Sequence, residues 1–227
     1  MRPRHLIRRL REIRRETAYH EAGHAVVARS LGVTVDRLSI RPDVARRILG
    51  YVIARYSPRL LNAIRSGWLP LTPKRSVDPF RSRTTGRNVE DELCAHLQID
   101  LAGAVAEELE FGDWCRHGAK SDLRSFHATV QGYYGASEDF VPGSTMVTLR
   151  AHHWGSCHGL LDRPEVWGWL ERVAAAALER TVLTGDEIDA LRYPNRPDPP
   201  AAALVPFPWS EGSEVEVVGS RSLPRAA

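Results

Sequence analysis

Apolar positions recur at helical spacing along most of the chain. In residues 17–31, alanines and valines share one side, and Gly32 follows where a left-handed residue commonly ends a helix. Leucines repeat in the same way through residues 88–111, up to Gly112. The pattern predicts helices over residues 17–31, 88–111, 120–134 and 166–180, and a short last helix that ends at Leu191.

Two short segments after the first helix have strand character. Residues 33–40 partly alternate apolar and polar side chains, and residues 50–56 are rich in β-branched and aromatic side chains, which favour a pleated sheet. We expect the two segments to pair. The predicted fold class is therefore mainly α, with a small β element directly after the first helix.

The chain of 227 residues is long enough for one well-packed core domain with extensions. We expect the core domain at residues 17–193. Residues 1–16, with seven arginines, are a basic N-terminal arm, and the proline- and arginine-rich residues 57–87 predict an insertion or a mobile loop. Seven prolines and little periodicity in residues 194–227 predict a disordered tail.

Charge and cysteine content narrow the classes of function. The net charge is only +3 and the basic excess is local to the N-terminal arm, which favours a solvated helix face or a frayed arm over a nucleic-acid interface. Cys94, Cys115 and Cys157 form no CxxC pair, so neither a disulfide framework nor a thiolate zinc site is predicted. No apolar run is long enough to span a membrane. We expect a soluble, cytoplasmic protein.

The candidate chemistry lies in the first predicted helix, in the sequence His20-Glu21-Ala22-Gly23-His24. Two histidines four residues apart on a helix point the same way, so both imidazoles can bind one zinc ion. Glu21 then falls beside the open position of the metal, where it can act as general base and acid, and Gly23 is expected to leave room next to the metal. A chance match on a surface helix is the alternative, but the apolar face of this helix and its lack of a helix breaker argue against it.

A catalytic zinc ion needs a third protein ligand. Residues 25–30 contain no histidine, so this ligand must come from a more distant part of the chain. The residues alone leave several candidates open. They are Glu107, Glu108, His117, Asp122 and a group in a polar, histidine-rich connection, His152, His153 and His158.

Four further segments follow the histidine motif, which lies in residues 18–27. They are residues 49–51, 101–112, 118–123 and 178–188. In this order, the five segments resemble the peptidase domain of the FtsH-type ATP-dependent zinc metalloproteases. The resemblance implies a helical peptidase fold in which Asp122 completes the zinc ligands with His20 and His24.

The same resemblance assigns roles to three further residues. It implies that Glu107 is an acidic neighbour of the site that does not itself bind the metal. It also implies that Gly50 and Tyr51 belong to an edge strand that binds extended substrate by backbone pairing.

The sequence therefore predicts a zinc-dependent endopeptidase, a hydrolase that cleaves unfolded or flexible polypeptides. Members of the family carry an ATPase module and membrane helices, which this sequence is expected to lack. The predicted peptidase therefore acts without an ATPase of its own, and an ATPase partner in trans is a further possibility. A homo-oligomer is compatible with the resemblance. The alternative function is a catalytically weak docking module of the same fold, which binds peptides or an ATPase partner.

Overall fold

The structure, a computed structural model, describes residues 3–46, 48–66, 89–116, 118–133, 143–193 and 214–222. These residues are mainly helical with a small sheet, which confirms the predicted fold class. No helix in these ranges combines the length and apolarity needed to cross a membrane. The elements are α1 (Pro3–Ser30), β1 (Thr34–Ser39), β2 (Ile48–Tyr56), α2 (Pro58–Ser66), α3 (Val89–Phe111), α4 (Lys120–Tyr133), α5 (Gly143–Leu161), α6 (Pro164–Arg180), β3 (Val182–Thr184), α7 (Gly185–Ala190) and β4 (Glu214–Ser222).

Helices α1 and α3 pack closely against each other at the centre of the core. A Cβ atom added to Gly23 of α1 would lie 2.6 Å from the carbonyl oxygen of Ala102 and 2.7 Å from the Cβ of Ala106, so glycine allows the two helices to approach. The prediction that Gly23 leaves room next to a metal is therefore wrong, because the space that a side chain would fill there belongs to α3. Helix α6 also packs on α1.

The sheet is antiparallel, with the strand order β3-β1-β2-β4. Gly32, with a left-handed φ of 74°, makes the predicted turn from α1 into β1. The predicted pairing of the first two strands is confirmed and places Leu38 opposite Val52. Strand β2 contacts α1 directly, which brings the middle of the sheet to the helix that carries the histidine motif.

The basic arm predicted at residues 1–16 is, from Pro3 onward, the first half of helix α1. Arg8 and Arg9 are exposed and pair with Glu12 one turn further along. Arg15 forms an ion pair with Glu110 on α3. From residue 7 to residue 15 the helix therefore presents a mostly solvated face, one of the two forms expected for the arm.

Of the two forms predicted for residues 57–87, an insertion or a mobile loop, the mobile loop is wrong for the first part. Pro58–Ser66 forms helix α2, and Leu60 and Leu61 are buried in the core. Proline is compatible with the first position of a helix, where its missing N–H would have no helical partner. Because residues 57–87 as a whole are rich in proline and arginine, their composition did not predict this short amphipathic helix. Residues 67–88 lie outside the described part of the chain.

The prediction of a disordered tail at residues 194–227 is wrong for Glu214–Ser222, which form strand β4 beside β2. The valines of this segment favour extended backbone. The outer edge of β2 also offers N–H and C=O groups that a further strand can pair. The many prolines upstream dominated the prediction. The rest of the tail lies outside the described residues.

Candidate metal centre

Three buried side chains converge at the centre of the fold. His20 and His24 come from α1, and Asp122 comes from the first turn of α4. The Nε2 atom of His20 lies 2.9 Å from Oδ2 of Asp122 and 3.1 Å from Nε2 of His24, and the third distance, between His24 Nε2 and Asp122 Oδ2, is 3.6 Å. The three side chains form a possible metal-binding group.

The spacing of these three atoms fits a zinc ion. Tetrahedral zinc holds its nitrogen and oxygen ligands at about 2.0–2.1 Å, which separates neighbouring ligands by roughly 3.3 Å. The three distances, 2.9, 3.1 and 3.6 Å, bracket that value. Two imidazoles and one carboxylate are also a donor set that zinc accepts.

The Nδ1 atom of each imidazole forms a hydrogen bond away from the cluster, so Nε2 is the nitrogen that faces it. The Nδ1–H of His20 donates to Oε1 of Glu107 at 3.1 Å, and the Nδ1–H of His24 donates to the carbonyl oxygen of Ile99 at 2.6 Å. Each Nε2 atom then carries a lone pair that points into the cluster, and the two atoms are 3.1 Å apart. Because two lone pairs at this distance repel each other, a cation or a proton must lie between them. The residues therefore fit a metal ion.

In the metal-free protein, protons take the place of the cation. Burial, the largest effect, opposes the charged form of His20, but hydrogen bonds to Asp122 and Glu107 outweigh it and raise the pKa of His20 to about 10. Burial likewise opposes the charged form of Asp122, yet the hydrogen bond from His20 and the nearby imidazole of His24 hold the pKa of Asp122 well below its usual value. Without metal, the cluster is a buried ion pair.

Glu21 is fully buried and lies against β2. A Cβ atom added to Gly50 would lie 2.7 Å from Oε1 of Glu21 and 2.9 Å from the carbonyl oxygen of Ser39 on β1. Only glycine at this position lets the carboxylate of Glu21 pack on the backbone of the strand. The carboxylate of Glu21 is therefore held against strand β2.

A second glycine, Gly103 on α3, makes room for the two imidazoles. A Cβ atom there would lie 2.5 Å from Nε2 of His24 and 2.6 Å from Nε2 of His20. Any larger residue would occupy the space that the imidazoles fill. The backbone of α3 therefore forms one wall of the cluster.

Comparison with known proteins gives a relative of this chain. The chain is similar to the ATP-dependent zinc metalloprotease FTSH 9, chloroplastic/mitochondrial, of Oryza sativa subsp. japonica, with 29% identity over 206 residues. The match covers 81% of this chain but only 22% of the rice protein, so the chain spans much less than the full length of its relative. No family model matches the chain. The similarity suggests a relationship to the FtsH proteases.

The structure brings together most of the site residues predicted from the sequence. Of the third-ligand candidates that the structure describes, Asp122 is the one that reaches both histidines. Glu107 lies behind His20, as expected for an acidic neighbour. Gly50 meets Glu21.

The other candidates for the third ligand are engaged elsewhere or lie outside the described residues. Glu108 accepts a hydrogen bond from Nε1 of Trp154 at 2.9 Å. His152, His153 and His158 lie in helix α5, so the predicted polar connection is in fact helical. Burial, together with the charge of His152, lowers the pKa of His153 to about 4, and this ring packs beside Phe126. His117 lies outside the described residues.

The predicted edge strand at Gly50 and Tyr51 is not an edge in this structure. Strand β2 lies between β1 and β4, and β4 pairs with it at both residues. The error has a physical cause: the strand that covers β2 comes from a tail more than 150 residues later, which short-range patterns do not reach.

Two contributors to the site were not predicted from the sequence. They are Gly103, whose missing side chain makes room for the imidazoles, and the carbonyl group of Ile99. The run Ala102-Gly103-Ala104 was the available signal, because glycine inside a helical pattern often marks a close approach. The carbonyl of Ile99 left no such signal, because a backbone acceptor does not depend on the side chain that carries it.

Proposed function

We propose that this chain is a zinc-dependent endopeptidase that acts on unfolded or flexible polypeptides. The observation that carries the proposal is the convergence of His20 Nε2, His24 Nε2 and Asp122 Oδ2 at distances that suit tetrahedral zinc. Glu21, the residue next to His20, supplies a buried carboxylate outside the possible metal-binding group of His20, His24 and Asp122. The rice zinc metalloprotease supports the same reading.

Zinc bound there would supply a Lewis acid that polarises a peptide carbonyl and makes water more acidic. Glu21 takes up the proton that the attacking water loses, as that water forms a bond to the carbonyl carbon. The same carboxylate then delivers the proton to the leaving amine nitrogen as the C–N bond breaks. One carboxylate therefore serves as base and then as acid.

The neighbours of the ligands keep them in place for this reaction. Glu107 and the carbonyl of Ile99 fix the rings of His20 and His24, so both present Nε2. Gly50 allows Glu21 to rest on the backbone of β2, which limits the positions of its carboxylate. Strand β2 lies between β1 and β4, so an extended peptide can pair with it only where β4 is absent. Flexible polypeptides can adopt that extended form, and they are the substrates proposed.

Glu21→Gln tests the proposal because it removes the base and leaves the three ligands intact. We expect about one zinc ion per chain by elemental analysis in both the wild type and the variant. Cleavage of casein should fall by at least about 100-fold in the variant. Glu12→Gln, on the exposed part of the same helix, is the matched control and should cleave like the wild type.

Two other outcomes would contradict the proposal. A wild-type chain that takes up no zinc, even when zinc is added during refolding, has no metal centre of this kind. A chain that binds zinc but cleaves neither casein nor unstructured peptides is the docking module that the sequence analysis left as the alternative.

A further inference from the structure

Strand β4 covers the outer side of β2 along its whole length. Ile48 at one end of β2 pairs with Ser222, and Tyr56 at the other end pairs with Glu214, with antiparallel pairing in between. The segment that does this comes from the tail, more than 150 residues after β2 in the chain. The tail therefore fills a place in the sheet that an extended peptide could otherwise take.

This covered place lies beside the proposed base. Gly50, whose backbone contacts the carboxylate of Glu21, pairs with Arg221, and Tyr51 pairs with Ser220. A peptide that replaced β4 on β2 would run antiparallel to the strand and pass Gly50 in the same way. Its backbone would be presented next to Glu21, which is the position that the proposed reaction requires.

The pairing of β4 with β2 is irregular at this same point. Tyr51 pairs with Ser220 and Val52 pairs with Val218, which leaves Gly219 as an extra residue on β4. A second irregularity lies between Ile48 and Gly50. A bulge interrupts the ladder of hydrogen bonds locally. The tail is therefore held least regularly where it passes the proposed base.

We propose that β4 is an internal, displaceable occupant of the substrate strand position, so that the tail restricts access of extended polypeptides to β2. This inference rests on the proposed function. Substrate binds by adding a strand to β2 after β4 leaves it, and the backbone groups of β2 are paired in both states. The exchange costs little in hydrogen bonds, since one antiparallel partner replaces another.

A reversible cross-link tests whether β4 must leave. Ile53 and Val217 are direct partners, so the double variant Ile53→Cys/Val217→Cys can be oxidised to a disulfide that fixes β4 on β2. The readout is binding of fluorescently labelled casein, measured by anisotropy in a Glu21→Gln background. We expect binding to weaken by at least about tenfold on oxidation and to recover with a phosphine reductant. The two single-cysteine variants are the controls and should not respond.

A loosened strand should have the opposite effect. Val217→Pro/Val218→Pro places two consecutive prolines in β4. Successive N–H groups of a strand point to opposite sides, so one of the two prolines removes an N–H that faces β2. We expect casein binding to strengthen by about tenfold, since a larger fraction of the molecules has β2 open. Val217→Ala/Val218→Ala keeps both N–H groups and is the matched control. Circular dichroism establishes that each variant is folded.

The results separate the two proposals. Two outcomes overturn the inference. If the cross-linked protein binds casein equally well when oxidised and when reduced, β4 is a fixed part of the sheet. If the folded proline variant binds casein more weakly than the wild type, β4 is part of the binding site. Binding is measured without catalysis, so failure of the wild type to cleave casein counts against the proposed peptidase and leaves these binding results unaffected.

Discussion

Glu107 joins two parts of the candidate metal centre that are far apart in the chain. Its Oε1 accepts a hydrogen bond from Nδ1 of His20 at 3.1 Å, and its Oε2 accepts one from the backbone N–H of Cys115 at 2.6 Å. Cys115 belongs to the segment that leads into α4, and Asp122 lies in the first turn of that helix. One buried carboxylate therefore orients a histidine of α1 and anchors the approach to the proposed carboxylate ligand.

Removal of this carboxylate should weaken zinc binding without removing a ligand. For Glu107→Ala we expect a loss of zinc affinity of about 10- to 100-fold, because the ring of His20 loses the acceptor that orients it. Glu107→Gln keeps a carbonyl acceptor, so its loss should be smaller. Competition with a chromophoric zinc chelator measures the affinity directly.

Glu108→Gln is the control for this experiment. Glu108 is the next residue of α3, and its carboxylate binds Trp154 instead of a histidine. We expect its zinc affinity to equal that of the wild type. If Glu107→Ala and Glu108→Gln bind zinc equally well, Glu107 has no part in the metal centre.

Gly103→Ala should damage the centre through a single added methyl group. The new Cβ would lie 2.5 Å from His24 Nε2 and 2.6 Å from His20 Nε2, which is too close for atoms that do not bond. Either the imidazoles or α3 must move. We expect zinc affinity to fall by at least about tenfold, as when the support of a ligand is lost.

The matched control is Gly155→Ala in helix α5. An added Cβ there has no neighbour within 4 Å, so the same substitution should only improve helix propensity, by up to about 1 kcal/mol. Measurement of zinc affinity and of the urea midpoint for both variants separates a local clash from a general effect of alanine. Unchanged zinc binding in Gly103→Ala would show that the site tolerates the methyl group.

The buried ion pair of the metal-free protein predicts a particular dependence of stability on pH. Hydrogen bonds to Asp122 and Glu107 raise the pKa of His20 from 6.5 to about 10 despite burial. The stabilisation is therefore fully present below pH 6.5 and is lost as the pH rises towards 10. We expect the urea midpoint of the chelator-treated protein to fall between pH 6.5 and 10.

Zinc should change this profile because it replaces the proton at His20. Zinc affinity should rise with pH, by up to about tenfold per pH unit while one proton is displaced. The decline in stability of the metal-free protein should also be weaker in His20→Asn, which lacks the titrating group. If the urea midpoint of the chelator-treated wild type rises between pH 6.5 and 10, the proton does not belong to His20.

Much of this site was readable in the sequence because its information is local. The spacing of His20 and His24 is fixed by the helical repeat, and their joint position needs only a helix. The capping box of Thr184 and Glu187 is similarly local, and it begins α7, the short last helix that the sequence predicted. Each of these depends on residues within four positions.

Features that depend on distant contacts could not be derived in the same way. The residues alone left Asp122 as one of several acidic and histidine candidates, and its nearness to His20 depends on how α4 packs, 102 positions later. Gly103 matters only because α1 lies against α3. Strand β4 was concealed because its pairing partner, β2, lies in another part of the chain.

Helix α2 offers a test of the corrected boundary of the core. Leu60 is completely buried, whereas Arg59, the residue before it, is exposed. If α2 belongs to the core, Leu60→Ala should lower the free energy of unfolding by about 2–5 kcal/mol, because it leaves a cavity among packed side chains. Arg59→Ala should change it by less than about 0.5 kcal/mol. Urea unfolding followed by circular dichroism gives both values. Equal, small effects of the two substitutions would mean that the core does not depend on α2. Helix α2 would then be a segment attached to the core, as the composition of residues 57–87 first indicated.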